Sequence, residues 1–516
     1  MKKVIEPQKE IEVLDDVDVV VVGGGPAGIG AALSSGRNGA KTLLIEKFGH
    51  LGGLQTHGIN PMFTFIDFEL HGGLIQEILT RLEKGGALTN INDMAPQEQH
   101  RMRDDFIKTI GAENLPKRLL ETETGYWGPW GLSFDPEYYK YMLETMMKEA
   151  KVRLLYHSFA VGAIREGNLL KGVIIETNEG RRAILGKIII DTTGLGHIIW
   201  KSGATCMGDE GFPAGIIKGH PGAFLNSFFI NGVDIKKFNE FRAANKEEWG
   251  EMYGGKEMIE EAKKNGAYLK GQSVILATNM DVYRSGRVFV MNPFFIVPTR
   301  KKPWMAKVLT NCEIDLRKQA WAIFNVVKEN VPGFENSYIE KTSTMPFNAV
   351  GHRIIGEHVL SLKDMREGRA FDDSVAVSNM PPDLYEAVGR FSYEILPHDV
   401  PYRCLVSKDI DNLMAAGTTI SATAFSGLGV RYCTPSICIG QATGTAAALA
   451  IKNNVSPKMV DVKLVQDTLR KHGAVVSVKD VSAEVLEPYK FIQDQKIVFR
   501  KESTPQLVSE EELALH

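Results

Sequence analysis

Cysteine is scarce. Cys206, Cys312, Cys404, Cys433 and Cys438 are spread over 516 positions, odd in number and without a C-x-x-C pair. That argues against a disulfide scaffold, a zinc ribbon and a cysteine-held iron–sulfur cluster, and no metal site is expected. Long apolar runs are missing too. The longest, Val17 to Gly30, is shorter than the ~18 to 20 residues of a membrane span and is interrupted by Asp18 and several glycines. The start, Met1-Lys2-Lys3, leads into Glu6, Lys9, Glu10, Glu12, Asp15 and Asp16 rather than the apolar core of a signal peptide, so a cytoplasmic location and no membrane span are expected. A basic excess is absent: 60 Lys and Arg face 63 Asp and Glu, for a net charge of −3, which argues against a nucleic-acid partner.

What is present is an ordinary globular balance, with 44 % hydrophobic and 24 % charged residues. The length allows about two to four domains. Glycine is the unusual count: 50 residues, above the usual ~7 %. Its addresses are informative. Val17 to Val22, VDVVVV, reads as a strand buried on both faces of a parallel sheet. Gly23, Gly25 and Gly28 follow in GGGPAG, then a small-residue helix from Ala27 to Gly36, then a second strand, Thr42 to Ile45, ending at Glu46. This is the dinucleotide fingerprint. Gly23 permits the tight turn, Gly25 the approach of a pyrophosphate, and Gly28 close helix packing. The helix N-terminus, at Pro26 and Ala27, offers free N–H groups to phosphate. Glu46, eighteen residues past Gly28, is placed for ribose hydroxyls. The motif alone does not separate NAD from FAD.

The next segment does. EKFGHLGGLQTHG, residues 46–58, resembles the stretch after the ribose-binding Glu in FAD-dependent oxidoreductases related to the fumarate reductase and succinate dehydrogenase flavoproteins. Ile188 to Gly194, IIIDTTG, resembles the strand that closes such an FAD domain, and Asn412 to Ala450 is similar to the final FAD-contacting strand and helix. The resemblance covers about residues 15–215 and 340–465. It implies FAD, held non-covalently, since T-H-G stands where relatives with a covalent histidine carry a string like S-H-T. It implies cofactor contacts from Gly23, Gly25, Pro26, Ala27, Gly28, Glu46, Lys47, Gly52, Gly53, Leu54, Gln55, Ala160, Thr193, Gly194, Gly417, Arg431, Thr434 and Pro435. Gly427, Gly429, Gly440 and Gly444 also fall in the later FAD segments. One departure stands out. Where relatives often carry several arginines before GEHVL, this chain keeps Arg353 but has Ala349 and His352.

The expected fold class is α/β: a discontinuous FAD-binding Rossmann-like (GR2-type) domain with an inserted α+β substrate domain. The FAD-binding domain takes residues 1–59, 125–208 and 400–474. A helical insertion occupies 60–124, a substrate or cap domain 209–399, and a polar tail 475–516. Within the cap, Ala223 to Asn231 and Arg287 to Phe295 read as strands, and Lys237 to Lys264 and Asn311 to Asn330 as helices. An aromatic loop, Tyr126 to Trp130, reads either as a lid or as core.

The flavin carries the hydride chemistry of such enzymes, and side chains orient substrate and move protons. His57 is the first candidate for acid–base work, with a backbone-bonded packing role as the alternative. His352 and Arg353 are the second, Arg353 offering a planar fork to an oxyanion or, instead, an ion pair to Glu357. Tyr402 and Arg403, at the return from the cap, are the third. The reading is an FAD-dependent oxidoreductase moving a hydride between flavin N5 and a small organic substrate. A flavin monooxygenase using NAD(P)H and oxygen, or a non-redox isomerase or lyase, are the alternatives. No second G-x-G-x-x-G is found, so an external electron donor or acceptor is expected as partner, and a homo-oligomer is expected from how commonly soluble proteins form one.

Overall fold

The computed structural model describes residues 3–90 except 65, 66 and 68; 132–208; 223–296 except 247, 250–252, 272, 273, 279, 280, 284 and 292; 305–346; 351–380; and 395–494. The aromatic loop at 126–130 and the stretch 347–350 ahead of His352 lie outside them.

Strand β1 (Val13–Val22) pairs in parallel with β2 (Thr42–Ile45) on one side and β9 (Gly180–Asp191) on the other. Beyond β2 lies β6 (Arg153–Leu155), and β21 (Leu413–Ala415) joins the end of β9, both parallel. The hairpin of β7 (Phe159–Glu166) and β8 (Leu169–Thr177) runs antiparallel against β9. Among the described residues these strands form one seven-stranded sheet. The VDVVVV run is buried on both faces. Val19 and Val21 join the core formed with helices α1 (Pro26–Arg37) and α10 (Cys433–Asn453), while Val17, Val20 and Val22 join Ile189, Ile198 and Leu413 on the other side. The β-branched run Val19 to Val22 suits such a strand, since neither face meets water there, while Asp18 ahead of it is half-buried and pairs with Lys187 at 2.7 Å.

Helices α1 and α10 cross backbone to backbone. A Cβ on Gly440 or Gly444 would collide with the carbonyl oxygens of Ala27 and Ala31, and one on Gly30 with that of Ile437. Gly440 and Gly444, read from sequence as FAD approaches, are therefore helix-crossing residues. The four-residue spacing that puts both on one helix face was the available signal.

A small antiparallel sheet, β3 (Met62–Phe63), β5 (Leu132–Phe134) and β4 (Leu88–Asn90), lies beside helices α2 (Leu74–Lys84) and α3 (Pro136–Glu149). In α2 the predicted stripe Ile75, Ile78, Leu79 and Leu82 is buried. The Asp135 carboxylate accepts from the Tyr138 N–H at 2.6 Å and starts α3, with Pro136 at its first position. The insertion expected to be helical thus carries strands as well.

A second sheet, antiparallel, runs β13 (Tyr253–Gly254), β14 (Val274–Ala277), β15 (Val288–Val290), β12 (Phe228–Asn231), β17 (Tyr338–Thr342). Alternation divides its side chains. Phe228, Ile230, Leu276, Val288 and Val290 pack toward helices α5 (Ile235–Ala244), α6 (Lys256–Lys264) and α7 (Ala306–Asn330). Phe229, Ile275, Ala277 and Phe289 pack on Ile59 and Met62, next to the fingerprint half of the first sheet. Two expectations are corrected here. The helix expected at 237–264 is two helices, α5 and α6, with Gly255 at a φ of +67° just before α6. The strand expected from Ala223 breaks at Asn226-Ser227, leaving β11 (Ala223–Leu225) on β16 (Phe294–Ile296) while β12 pairs elsewhere.

The remaining elements connect these layers: α4 (His197–Lys201), the pair β10 (Cys206–Met207) and β18 (Arg353–Ile354), α8 (Leu362–Arg366), the pair β19 (Ser374–Ser378) and β20 (His398–Pro401), α9 (Ala424–Val430) and α11 (Val462–Lys471). The polar tail is folded at least to Asp494. Buried Asp399 accepts from the Val478 N–H at 2.7 Å and the Ser477 hydroxyl at 2.8 Å, and helix α12 (Ala483–Asp494) packs Val485 with Leu70 and Val377. No helix among the described residues is long and apolar enough to cross a membrane.

Candidate functional site

The C-terminal ends of β1, β2 and β9 open onto a groove. Gly23, at a φ of +110°, turns the chain from β1 into α1, a conformation open to glycine. A Cβ on Gly28 would meet the Thr192 hydroxyl at 2.8 Å, so α1 lies directly on the end of β9. Gly25 precedes α1 and no side chain caps that end, which leaves its first N–H groups facing outward. Glu46 is buried. Its Oε2 accepts from the Gly24 N–H at 2.6 Å and its Oε1 from the Phe48 N–H at 3.0 Å. Each oxygen keeps a second lone pair for a hydroxyl. Gly52 and Gly53 return the chain beside Gly25, with the Gly52 N–H donating to the Gly24 carbonyl at 2.9 Å. Ala160 lies at the hairpin edge of the same sheet and is buried, and Lys47 is exposed next to Glu46.

From the other side, Asp191 organises the loop after β9. Its Oδ1 accepts from the Thr193 N–H and hydroxyl, and its Oδ2 from the N–H groups of Ile198 and Ile199 at 2.8 and 2.9 Å. This fixes Thr193 and Gly194, whose carbonyl accepts from the Thr418 hydroxyl at 2.9 Å. Gly417, at a φ of +74°, passes so close to Ala27 that a Cβ would lie 2.9 Å from the Ala27 methyl. The second uncapped helix end is that of α10. There the Thr434 hydroxyl is buried and has no hydrogen-bond partner among the described residues, and Pro435 is buried beside it. Arg431 closes α9 with its guanidinium carbon 4.9 Å from the Tyr432 ring centre. A groove with two uncapped helix ends, a ribose-type carboxylate and an orphaned hydroxyl fits a long, anionic dinucleotide.

Leu54 and Gln55 form a short 3-10 turn. The Gln55 side chain faces inward: its amide donates to the Met62 carbonyl at 3.3 Å, and its oxygen accepts from the Tyr139 hydroxyl at 3.1 Å. Its contribution to a cofactor is thus the turn it holds. Burial raises the Tyr139 phenol well above its ordinary 10, with the nearby Cys433 adding to the shift, so it stays a neutral donor. Cys433 keeps some accessible surface yet sits deep enough for burial to push its thiol up to about 12. It is a thiol at neutral pH, which disfavours a nucleophilic role.

The catalytic candidates separate. The His57 ring is buried and sandwiched, 3.8 Å from the His50 ring and 4.1 Å from that of Phe48, with Nε2 3.1 Å from the His50 carbonyl. Burial, then the neighbouring His50, lowers its pKa to about 3. That is a neutral packed ring, a setting for the backbone-bonded alternative. Its carbonyl oxygen accepts from the Thr344 N–H at 2.8 Å and so ties the groove to the second sheet. His352 is buried and stacked on Trp200, ring centres 5.5 Å apart, with Nδ1 3.3 Å from the Leu195 carbonyl. Arg353 is buried in β18, donating from Nε to the Ala422 carbonyl at 2.8 Å and from Nη1 to Gly351 at 3.2 Å, and its Cδ lies near Gly427 in α9. Its guanidinium is thus held by backbone carbonyls next to α9. Tyr402 and Arg403 do not stand on the groove side. The Tyr402 hydroxyl is spent on the Pro457 carbonyl at 2.7 Å inside the core, and Arg403 forks outward onto Asp373 at 2.8 and 3.0 Å. A 3-10 turn after β20 sends the two side chains opposite ways.

Sequence reasoning missed the polar seam between groove and second sheet. Ser343 donates to the Asn226 side chain and, through its N–H, to the Ser227 carbonyl at 3.1 Å. The Ser227 hydroxyl and the Asn60 side-chain oxygen are buried there without a hydrogen-bond partner among the described residues. Their only sequence signal was the break between β11 and β12. Among the described residues no cluster of three or more His, Cys, Asp or Glu is placed to hold a metal ion.

The chain matches the family described as FAD dependent oxidoreductase over residues 18–469. It belongs to that family. The protein is an enzyme, and its cofactor is FAD. A tRNA uridine 5-carboxymethylaminomethyl modification enzyme of Sulfurihydrogenibium sp. is 28 % identical over 227 residues, covering 43 % of this chain and 31 % of the relative. A digeranylgeranylglycerophospholipid reductase of Methanocaldococcus jannaschii is 28 % identical over 154 residues, covering 28 % of this chain and 37 % of the relative. The match thus spans about a third of the length of these curated relatives. Among solved structures, a geranylgeranyl bacteriochlorophyll reductase-like protein of Thermoplasma acidophilum aligns at 14 % identity and a TM-score of 0.43, over 97 % of this chain and 95 % of that one. In the FAD groove, the α1 end and Gly25 would face the pyrophosphate, Glu46 the ribose, and the α10 end with Thr434 the flavin.

Proposed function

We propose that the enzyme passes a hydride between flavin N5 and a carbon of a small organic substrate that lies in the seam between the FAD groove and the second sheet. Bound FAD supplies the hydride acceptor or donor. The chain's own groups do the rest. The α10 N-terminus, with the Thr434 hydroxyl, would hold negative charge that develops on the flavin's pyrimidine edge. Phe229, Ile275 and Phe289 give the seam an apolar wall against Ile59 and Met62, which excludes water. Arg353 carries a permanent charge beside α9 and would orient a substrate oxygen. His57 stays neutral and holds the turn at residues 53–57 in place. The observation that carries this reading is the pair of buried, unpartnered polar atoms at the seam, Ser227 Oγ and Asn60 Oδ1, since a buried polar group without a partner points to one supplied from outside. The lack of a second dinucleotide fingerprint supports an external electron partner.

The test is anaerobic. The purified protein is titrated with hydroxy acids, amines and isoprenoid alkenes while flavin absorbance is followed, both from the oxidised and from the chemically reduced state. Isoprenoid alkenes belong in the panel because a digeranylgeranylglycerophospholipid reductase is among the relatives. One substrate class should bleach the oxidised flavin or reoxidise the reduced one without oxygen. Arg353→Gln should slow that step and leave FAD bound. Bleaching by NAD(P)H followed by substrate-dependent oxygen uptake would instead make the enzyme a monooxygenase. Turnover without net redox change would make it an isomerase or lyase. Either result overturns the proposal.

A further inference from the structure

Outside the residues that border the FAD groove, α7 carries a surface that nothing in the oxidoreductase reading uses. Ile314 and Trp321, seven residues apart and so on one helix face, are 61 % and 51 % exposed. Arg317 and Lys318 are exposed between them; Arg317 pairs with Glu313 of the same helix at 3.1 Å, and the Lys318 ammonium sits 3.8 Å from the centre of the Tyr268 ring. The first part of this face is therefore an apolar knob flanked by the Arg317–Glu313 pair and by Lys318. The last turns of the same helix border a groove of about 760 Å³ shared with α5 and α6. Its floor includes Trp249, Met258 and Val326, and its acidic side chains include Glu257, Glu261 and Glu329. The cations of α6, Lys256, Lys263 and Lys264, are not among its lining residues. One helix thus presents an aromatic projection beside Lys318 and, a few residues on, an acidic cleft with an apolar floor.

We propose that α7 is the interface of a twofold dimer, in which Trp321 of each copy enters the groove bordered by α6 and α7 of the other. A twofold interface brings the same patch of both subunits together, so a knob and a hole on one patch are each satisfied twice. The antiparallel arrangement of the two α7 helices sets Lys318 of one copy against Glu329 of the other, with Arg317 kept by its own Glu313. A second copy is the occupant that answers the glutamates with Lys318 and at the same time covers the exposed tryptophan, since both lie on one helix. Trp and Arg at the centre of a patch are the residue types that dominate association energies.

The experiment uses the full-length, FAD-loaded protein. Sedimentation velocity at about 10 μM should give twice the 57.1 kDa chain mass, as expected for a micromolar or tighter dimer. Trp321→Glu should give the monomer, with a dissociation constant raised about a hundredfold or more, and with flavin content and circular dichroism unchanged. Lys318→Glu should weaken the dimer, Glu329→Lys should weaken it too, and the double variant should regain it. A wild-type monomer, a dimer that survives Trp321→Glu, or a double variant that stays monomeric overturns the proposal. So does a wild-type monomer that binds a different protein through Trp321.

Discussion

Gly25→Ala separates two things that a glycine at this place could be doing. In the protein alone the substitution is mild. Gly25 has φ −77° and ψ −176°, which any residue adopts. Its added Cβ would meet only the Gly53 Cα, at 3.8 Å, an ordinary contact. Two small backbone effects oppose each other. Stiffening the unfolded chain stabilises by about 0.4–1 kcal/mol, and replacing glycine by alanine ahead of a helix costs a similar amount. Deflavinated Gly25→Ala should therefore melt within a degree or two of the deflavinated parent. With the cofactor the balance changes, because the methyl enters the space where the α1 end meets the pyrophosphate. Forcing a methyl into a close-packed contact costs about 1–3 kcal/mol. At 1.4 kcal/mol per tenfold, FAD affinity should fall about five- to 150-fold. Titration of deflavinated protein with FAD, read by quenching of flavin fluorescence, measures the affinity, and a thermal melt measures the fold. Unchanged affinity would refute the placement of the pyrophosphate at Gly25. A large drop in melting temperature without cofactor would mean that this glycine serves the fold instead.

Gly444→Ala should show the opposite pattern, because its Cβ points at the backbone of Ala31 and neither helix can yield locally. Although alanine is favoured over glycine inside a helix by about 1 kcal/mol, overpacking should leave a net loss of about 1–3 kcal/mol in the deflavinated protein, seen as an earlier denaturant midpoint; an unchanged midpoint would show that the crossing is looser than drawn. Acid should destabilise the protein well before its carboxylates titrate. His57, His71 and His398 are buried with pKa values lowered from 6.5 to about 3, 4 and 4, mainly by burial. Their unfolded forms bind protons below 6.5 while the native forms do not, so stability is present above pH 6.5 and is lost as pH falls toward those values. Three such groups give a slope of up to about 4 kcal/mol per pH unit near pH 5. Denaturation curves from pH 7 to 5 check this, and a flat profile would mean that these rings are solvated.

The first half of the groove was readable because its chemistry is local. The strand VDVVVV, the three glycines and Glu46 lie within thirty residues, and each has one backbone task. The later half was legible only as a region. Gly440 and Gly444 look like Gly417 in sequence, yet Gly417 borders the groove while the other two pack against a helix that only tertiary structure brings near. Tyr402 and Arg403 misled for a related reason: adjacent residues in a 3-10 turn point apart, and nothing local says which side the groove is on. The seam at Asn60, Asn226, Ser227 and Ser343 was invisible, since its members come from three segments and form no motif. Helix α12 was hidden by a polar composition in which a few apolar residues, Val485 and Leu486 among them, do the packing.

The crossing of α1 and α10 has a consequence for biosynthesis. Pro26–Arg37 and Cys433–Asn453 are about 400 positions apart, and each supplies one of the two uncapped helix ends proposed to face FAD. A ribosome-bound chain that has displayed the whole fingerprint still lacks the flavin end of the groove until the C-terminal segment arrives. Contacts of such long range form slowly, and apolar surface stays open meanwhile. The stretch of α1 formed by Ala27, Gly30 and Ala31 is the surface left waiting. On that placement, capture of the cofactor should be a late, post-translational event, and free FAD during expression should raise yield by trapping the completed groove rather than by templating its first half.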